Sequence, residues 1–319
     1  RSLVLAVLVA ALVPVLAVLA QTKGPRPVTR ARPPKLEKSN NFYNDAFTEG
    51  LVGQRPADLG KKPAAGGGEA APGSARSGGS GTGGVAGSGW AALISGATIE
   101  DEIKSLKLRV DQNVTTPSDF AGKGYKLARR DFSVLAMLFA IAGEYEGDVR
   151  WKSDAPAARD AFARTANNAK VGTQQVWQEA KQRKDELTDM VGGSSPFSGK
   201  NAEAKATWKD VCGRAPLMQH LESVWEPKLK PLLADKGQFT ANSEEVVRHA
   251  EMIAAIGHVL EKEGMPDADS EEYVKFGRSL RDGAKAIVEA AKSKNFDQAT
   301  GGGTAIGKSC TECHENYKA

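Results

Sequence analysis

Five consecutive residues near the C-terminus combine two thiols with an imidazole: Cys310-Thr311-Glu312-Cys313-His314. Residues three positions apart lie on the same face of a helix, so the two thiols would point in one direction. There, each thiol can add to one of the two vinyl groups of a single haem and form a thioether. The next residue, His314, is then placed to give an imidazole nitrogen to the iron as its proximal ligand. The motif therefore predicts one covalently bound haem c.

Two other chemistries use the same cysteine spacing. A thioredoxin-like dithiol lies beside a strand of a βαβ unit, and the region around the motif has a helical pattern. A zinc site would need a second Cys/His pair with ligand spacing, which the sequence lacks. The third cysteine, Cys212, could form an intermolecular disulfide or stay buried and inert, and the sequence does not decide between these.

The residues before the motif have the periodicity of four helices, which predicts a four-helix bundle over 196–319. Their end signals are Pro216 in a first turn, Ser243 and Ser270 at two N-caps, and a last helix near Thr304 to Tyr317. Pro227 and Pro231 are expected to break or bend the first of these helices.

The region 94–195 has a similar pattern but no cysteine. Its helices are predicted near 98–114, 125–145, 155–169 and 173–191, with a capping box at Thr98 and a stop at Gly192-Gly193. No segment alternates convincingly with period two, so the predicted fold class is all-α, with two tandem four-helix bundles. Phe120 and Phe239 take corresponding places before the second helix of each half, which indicates an internal duplication.

The first bundle shows no pattern of a catalytic site. Four of its bulky side chains are expected to fill the core: Met137, Phe139, Trp151 and Trp177. The run Arg129-Arg130-Asp131 is interpreted as a solvated helix face. This bundle is therefore predicted to be a haem-free docking or dimerisation module, the latter making the chain a homodimer, and the protein is not expected to be an enzyme.

The C-terminal bundle resembles a class II c-type cytochrome, of the cytochrome c-prime family. The ending CTECHENYK fits that family's CxxCHxxY/F followed by a basic residue, and the resemblance covers roughly Ala215 to Ala319. It implies a four-helix bundle that carries its haem on the last helix. Class I cytochromes, by contrast, carry the motif near their N-terminus.

The resemblance also implies two functions that differ in the sixth iron ligand. Five-coordinate members bind NO or CO, whereas methionine-ligated low-spin members transfer electrons and carry Arg-x-x-x-Met near the start of their first helix. Here Arg214 and Met218 have that spacing, so Met218 is the predicted sixth ligand and Arg214 the predicted contact of a haem propionate. A thioether suits haem iron and raises its reduction potential, although most helical methionines only fill core space.

Four other side chains are weaker candidates for iron ligation. Met252 lies within an apolar stripe, where core packing is expected. His249 and His258 share that helix, and a lone helical histidine is more often hydrogen-bonded or solvated. His220 is two residues from Met218, so the two point to different faces of one helix.

The N-terminal residues read as an export segment followed by a tether. Residues 1–20 contain an uninterrupted apolar stretch, which predicts a cleaved signal peptide or, as the alternative, an uncleaved membrane anchor through residues 3–20. Residues 21–93 are rich in Gly, Pro, Ser and Ala, which predicts a disordered linker. Since haem c is attached on the exported side of bacterial membranes, the predicted location is the periplasm or its membrane face.

Charge and composition exclude one class of partner. The formal net charge is only +4 and no run of Lys or Arg is present, so nucleic-acid binding is not expected. The sequence therefore predicts an exported monohaem cytochrome that passes electrons to a redox partner protein. The alternatives are a five-coordinate haem module that binds NO or CO, and an interaction protein whose haem is vestigial.

Overall fold

The computed structural model describes residues 89–203 and 206–317. These residues are helical and contain no strand, which confirms the all-α prediction. The eight longer helices are α1 (Gly96–Asn113), α2 (Tyr125–Glu144), α3 (Ala155–Asn168), α4 (Gln174–Gly192), α5 (Arg214–Val224), α6 (Ser243–Leu260), α7 (Glu271–Ser293) and α8 (Phe296–Asn316). The predicted export segment and residues 21–88 of the predicted linker lie outside the described residues.

The predicted linker ends too late at residue 93. Residues Gly89–Ala92 form a 3-10 turn, and the Trp90 side chain is only 4% exposed. Its indole nitrogen donates a hydrogen bond to Glu144 at 2.9 Å, and its ring meets that of Trp208 at 5.5 Å. Because a buried tryptophan removes a large apolar area from water, the helical region begins at least as early as this turn.

Helices α1 to α4 pack in a ring, each on the next and α4 back on α1. Every residue of α2 from 131 to 142 is buried, because other helices surround it on most sides. At the centre, Phe162 stacks on Phe139 with 5.4 Å between ring centroids and on Phe132 with 5.9 Å. Phe197 also packs on Phe162, at 6.0 Å, so the expected boundary at 195/196 falls inside a segment that belongs to this core.

Other predicted core side chains behave largely as expected. Met137 and Trp151 are buried with Phe139, and Trp177 is half-buried against the core. The helix α1 begins after Ser95, whose side chain accepts a hydrogen bond from the Thr98 amide, so the cap lies three residues before the predicted one.

The interpretation of Arg129-Arg130-Asp131 as a solvated face is wrong for Asp131. This carboxylate is fully buried and accepts hydrogen bonds from Asn113 at 2.8 Å, from Arg130 at 3.0 Å and from Arg109. A buried carboxylate is stable only when donors surround it in this way. Two of the three donors, Arg109 and Asn113, come from α1, so the local pattern of α2 does not show them.

In the second half, α6, α7 and α8 approach each other at glycines. A Cβ atom on Gly302 of α8 would lie 2.7 Å from the carbonyl oxygen of Gly283 in α7. A Cβ atom on Gly257 of α6 would lie 3.0 Å from the carbonyl oxygen of Gly277 in α7. The predicted start of the last helix at Thr304 is also wrong, since α8 begins at Phe296 and runs through residues 301–303. Because Gly302 and Gly257 have no side chain, the backbones of α8 and α6 can contact the backbone of α7.

The helix α5 has a different kind of support. It continues as a π-helical turn at Trp225–Leu229 and a short helix at Lys230–Leu232, which contain the two prolines expected to bend it. It packs against α2 and α6 but makes no comparably close approach to α8. A gap is therefore left between the first and last helices of this half.

Within the described residues, the two halves pack on each other as parts of one compact unit. Besides the contact between α2 and α5 and the ring contact of Trp90 with Trp208, polar side chains connect them. The Ser95 hydroxyl donates to Glu251 of α6 at 2.7 Å, and a nitrogen of Arg109 lies 3.4 Å from Nδ1 of His220 in α5. Phe120 and Phe239 are both buried just before α2 and α6, as the predicted duplication requires. The duplication itself remains a prediction.

None of the helices in the described residues has the length and apolar character needed to cross a membrane.

The close contact at Gly302 can be tested against its neighbour. We expect Gly302→Ala to lower the free energy of unfolding by about 1–3 kcal/mol, because the added methyl group would push α8 away from α7. Gly301→Ala is the matched control, since nothing lies within 4 Å of that position and alanine favours helix, so stability should rise by up to about 1 kcal/mol. Urea unfolding measures the free energy of unfolding of both variants. Equal effects of the two changes would contradict the backbone contact.

Two histidines of α6 make stability depend on pH. Burial is the main cause that lowers the pKa of His249 and His258 to about 4, and the nearby cations Arg248 and Lys262 lower it further. A histidine in the unfolded chain titrates near 6.5, so the unfolded state binds more protons between these pH values. The stabilising contribution is therefore complete above pH 6.5 and is lost as the pH falls toward 4.

Urea unfolding at pH 7 and pH 5 should show this loss. We expect His249→Gln to reduce the difference in unfolding free energy between the two pH values by roughly 1 kcal/mol, since glutamine does not titrate. An unchanged difference would show that His249 does not contribute.

Candidate haem site

A cavity of about 890 Å³ lies between α5 and α8. Its volume falls within the usual range of cofactor and ligand pockets. Helices α7 and α6 close one side with Phe276, Leu280 and Leu260, and much of the lining is apolar. The cavity exists because α8 is held close to α7 while α5 stands apart from it.

The wall on α8 carries all three residues of the predicted attachment motif. Cys310, Cys313 and His314 line the cavity, and Gly303 and Gly307 line it further along the same helix. Positions 303, 307, 310 and 314 follow the helical repeat of three and four residues, so they form one face. Nothing lies within 4 Å of the place where a Cβ atom of Gly307 would be, which leaves open space in front of the helix.

The facing wall is formed by α5 and its continuation. Met218, Leu221 and Trp225 line the cavity at spacings of three and four residues. The structure thus brings the predicted sixth ligand, Met218, to the same cavity as the predicted proximal ligand, His314. Leu221 and Trp225 were not predicted as site residues, although their helical spacing from Met218 is visible in the sequence.

Both motif cysteines are free thiols with restricted exposure. Burial raises the pKa of Cys310 to about 11, and burial also raises the pKa of Cys313. The thiols are therefore protonated at neutral pH. Thioether formation adds S–H across a vinyl double bond, so that sulfur bonds to one carbon and hydrogen to the other.

Contacts to α7 hold the motif in place. The hydroxyl of Ser309, just before the motif, donates to the carbonyl oxygen of Phe276 at 2.9 Å. Tyr317, just after α8, places its hydroxyl 2.9 Å from that of Ser270 and its ring 5.2 Å from that of Tyr273. Ser270 is also the N-cap of α7, as predicted, and accepts from the Tyr273 amide. The end of α8 is thus fixed to the start of α7.

Arg214 lies beside this end of the site but is not among the cavity-lining residues. It is hydrogen-bonded to Asp267, and its guanidinium lies 5.6 Å from the centre of the Tyr273 ring. Burial is the largest single cause and lowers its pKa, but the hydrogen bonds and charges of Asp267 and Tyr273 together outweigh burial, and the net shift of the pKa is upward. Contact with a propionate therefore remains a prediction for Arg214.

The weaker candidates lie elsewhere. Met252 is fully buried and does not line the cavity, which confirms the expectation of core packing. His220, His249 and His258 also lie outside the lining, and His220 occupies a different face of α5 from Met218, as predicted. Cys212 is buried, and burial raises its thiol pKa to about 12, so its environment fits an inert thiol.

The cavity and its donor groups fit a haem. An apolar slot accommodates the porphyrin face, while an imidazole and a thioether are axial donors that haem iron accepts. Within 89–203 and 206–317, no three His, Cys, Asp or Glu side chains gather to hold a bare metal ion. A haem iron takes four ligands from its porphyrin and needs only one or two from the protein.

Comparison of the chain with protein-family models, curated proteins and solved structures found no match.

The space in front of α8 can be tested by filling it. We expect Gly307→Phe to reduce the haem content of the exported protein several-fold, because the ring would occupy the cavity. Gly301→Phe is the control, since this residue is exposed and does not line the cavity. Pyridine haemochrome absorbance per chain measures haem, and circular dichroism checks folding. Equal haem content in the two folded variants would contradict the binding of haem in this cavity.

Proposed function

We propose that the protein is an exported monohaem c-type cytochrome that transfers electrons. The observation that supports this most strongly is one cavity with a CxxCH motif on one wall and a methionine on the facing wall. The resemblance of the C-terminal half to methionine-ligated class II cytochromes agrees with it. The proposed site residues are Cys310 and Cys313 for covalent attachment, with His314 and Met218 as axial ligands.

The proposed role of each side chain follows from its chemistry. When bound, haem c supplies an iron that alternates between the ferrous and ferric states. The thioethers of Cys310 and Cys313 would keep the group in place, and His314 would fix its orientation by its nitrogen. Leu221, Phe276 and Leu280 would exclude water, which together with a thioether donor favours the less charged ferrous state.

The setting of this function is also a proposal. Covalent haem attachment on the exported side of the membrane and the apolar residues 3–20 together favour a periplasmic protein, either released or anchored. Electron transfer requires a redox partner protein. No catalytic role is proposed for the protein, and a homodimer through the haem-free half stays a prediction.

A second candidate function is the binding of NO or CO. It is favoured by the apolar character of the wall around Met218, where Leu221 and Trp225 could cover an open sixth position. In that case Met218 would be a packing residue and the iron would have five ligands.

Replacing the methionine separates these two functions. In the wild-type reduced protein we expect low-spin bands that CO does not change. In Met218→Leu, which preserves volume but removes the donor, we expect a high-spin spectrum, CO binding at least about tenfold tighter and a lower reduction potential. Met252→Leu, a buried residue away from the cavity, is the control and should behave as wild type.

Optical titration with CO measures this difference. Electron transfer with Met218 as ligand would be contradicted by a wild-type spectrum that CO changes, or by low-spin bands that survive in Met218→Leu.

A further inference from the structure

We infer that the haem-free half positions the iron's sixth ligand, by holding α5 from behind through the contact between Arg109 and His220. This inference rests on the proposed function and names a role for α1 to α4 in it. Arg109 and His220 would be positioning residues, since neither lines the cavity.

The helix α5 takes part of its support from outside its own half, since it packs against α2 as well as against α6. On one side it borders the cavity, and along that side α8 does not pack closely against it. Its opposite face carries Leu217, His220 and Val224, which are buried although none of them lines the cavity. Because α5 packs against α2, this second face is covered by the haem-free half. The helix that carries Met218, α5, therefore lies between the cavity and α2.

A chain of hydrogen bonds runs from Asp131 through Arg109 to His220 of α5. The buried carboxylate of Asp131 accepts hydrogen bonds from Asn113, Arg130 and Arg109. Arg109 extends from this cluster to His220, with 3.4 Å between a guanidinium nitrogen and Nδ1. A guanidinium can only donate, so Nδ1 of His220 accepts. Asp131 therefore fixes Arg109, and Arg109 fixes one face of α5.

This contact controls where Met218 points. His220 and Met218 lie two residues apart, so they project about 200° from one another around the helix. Side-chain ends lie roughly 5–6 Å from the axis, so a rotation of α5 by about 20° would move the sulfur by roughly 2 Å. A shift of that size breaks a bond to iron. The ion pair of Arg248 in α6 with Glu102, at 3.8 Å, also joins the halves but does not involve α5.

The test compares two substitutions of the same residue in the full chain. His220→Leu keeps apolar volume but removes the acceptor, whereas His220→Asn keeps an acceptor at the position of Nδ1. Arg109→Gln removes the donor from the other side. Arg248→Gln is the matched control, because it loosens the halves at α6 and leaves α5 untouched.

Two readouts are measured on each variant. Amide hydrogen exchange of residues 214–229 in the haem-free full chain reports how firmly α5 is held, independently of haem. The optical spectrum with and without CO in the haem-loaded chain reports the sixth ligand.

In His220→Leu and Arg109→Gln we expect exchange of these amides to be roughly tenfold faster and CO binding to appear. His220→Asn and Arg248→Gln should resemble wild type in both readouts. Unchanged exchange in His220→Leu, or faster exchange with unchanged low-spin bands, would overturn the inference while leaving the proposed function intact. A wild-type chain that takes up no haem would instead refute the proposed function, and the exchange data would still show whether Arg109 and His220 hold α5.

Discussion

Backbone contact at glycines in α6, α7 and α8 is the constraint on which the rest of the second half depends. Where Gly302 meets Gly283, and Gly257 meets Gly277, three helices lie too close to leave space between them. The helix α5 has no comparable contact with α8. The space that side chains do not fill therefore lies between α5 and α8, where it forms a cavity of about 890 Å³.

The same constraint places the reactive side chains. Because Gly302 faces α7, the helical repeat turns Gly303, Gly307, Cys310 and His314 toward the cavity. Contacts of Ser309 and Tyr317 with α7 then fix the end of the helix. One wall of the proposed site is thus rigidly supported by its own half. The other wall, with Met218, depends on α2 and on the buried Asp131 cluster, which is why the two halves act together in the inference above.

The sequence was most informative where a local pattern has one physical meaning. The CxxCH motif predicted that Cys310, Cys313 and His314 form one site, and the structure places all three along one cavity with Met218. The sequence-based predictions were wrong where the environment of a residue depends on residues that are distant in the sequence. The last helix was predicted to begin near Thr304, but α8 begins at Phe296 and its Gly302 contacts α7. Asp131 was interpreted as solvated, but two of its hydrogen-bond donors come from α1. Trp90 looked like the end of a linker, yet Trp208 and Glu144 bury it.

The central claim is that one haem is covalently bound through Cys310 and Cys313. The most direct measurement is the mass of the full chain after export from a host that attaches haem c, taken after acid–acetone extraction of free haem. We expect a mass increase of one haem, located by digestion to the peptide that contains both cysteines, and the loss of this increase in Cys310→Ser with Cys313→Ser. A wild-type chain that is correctly exported and folded but carries no added mass would contradict the claim.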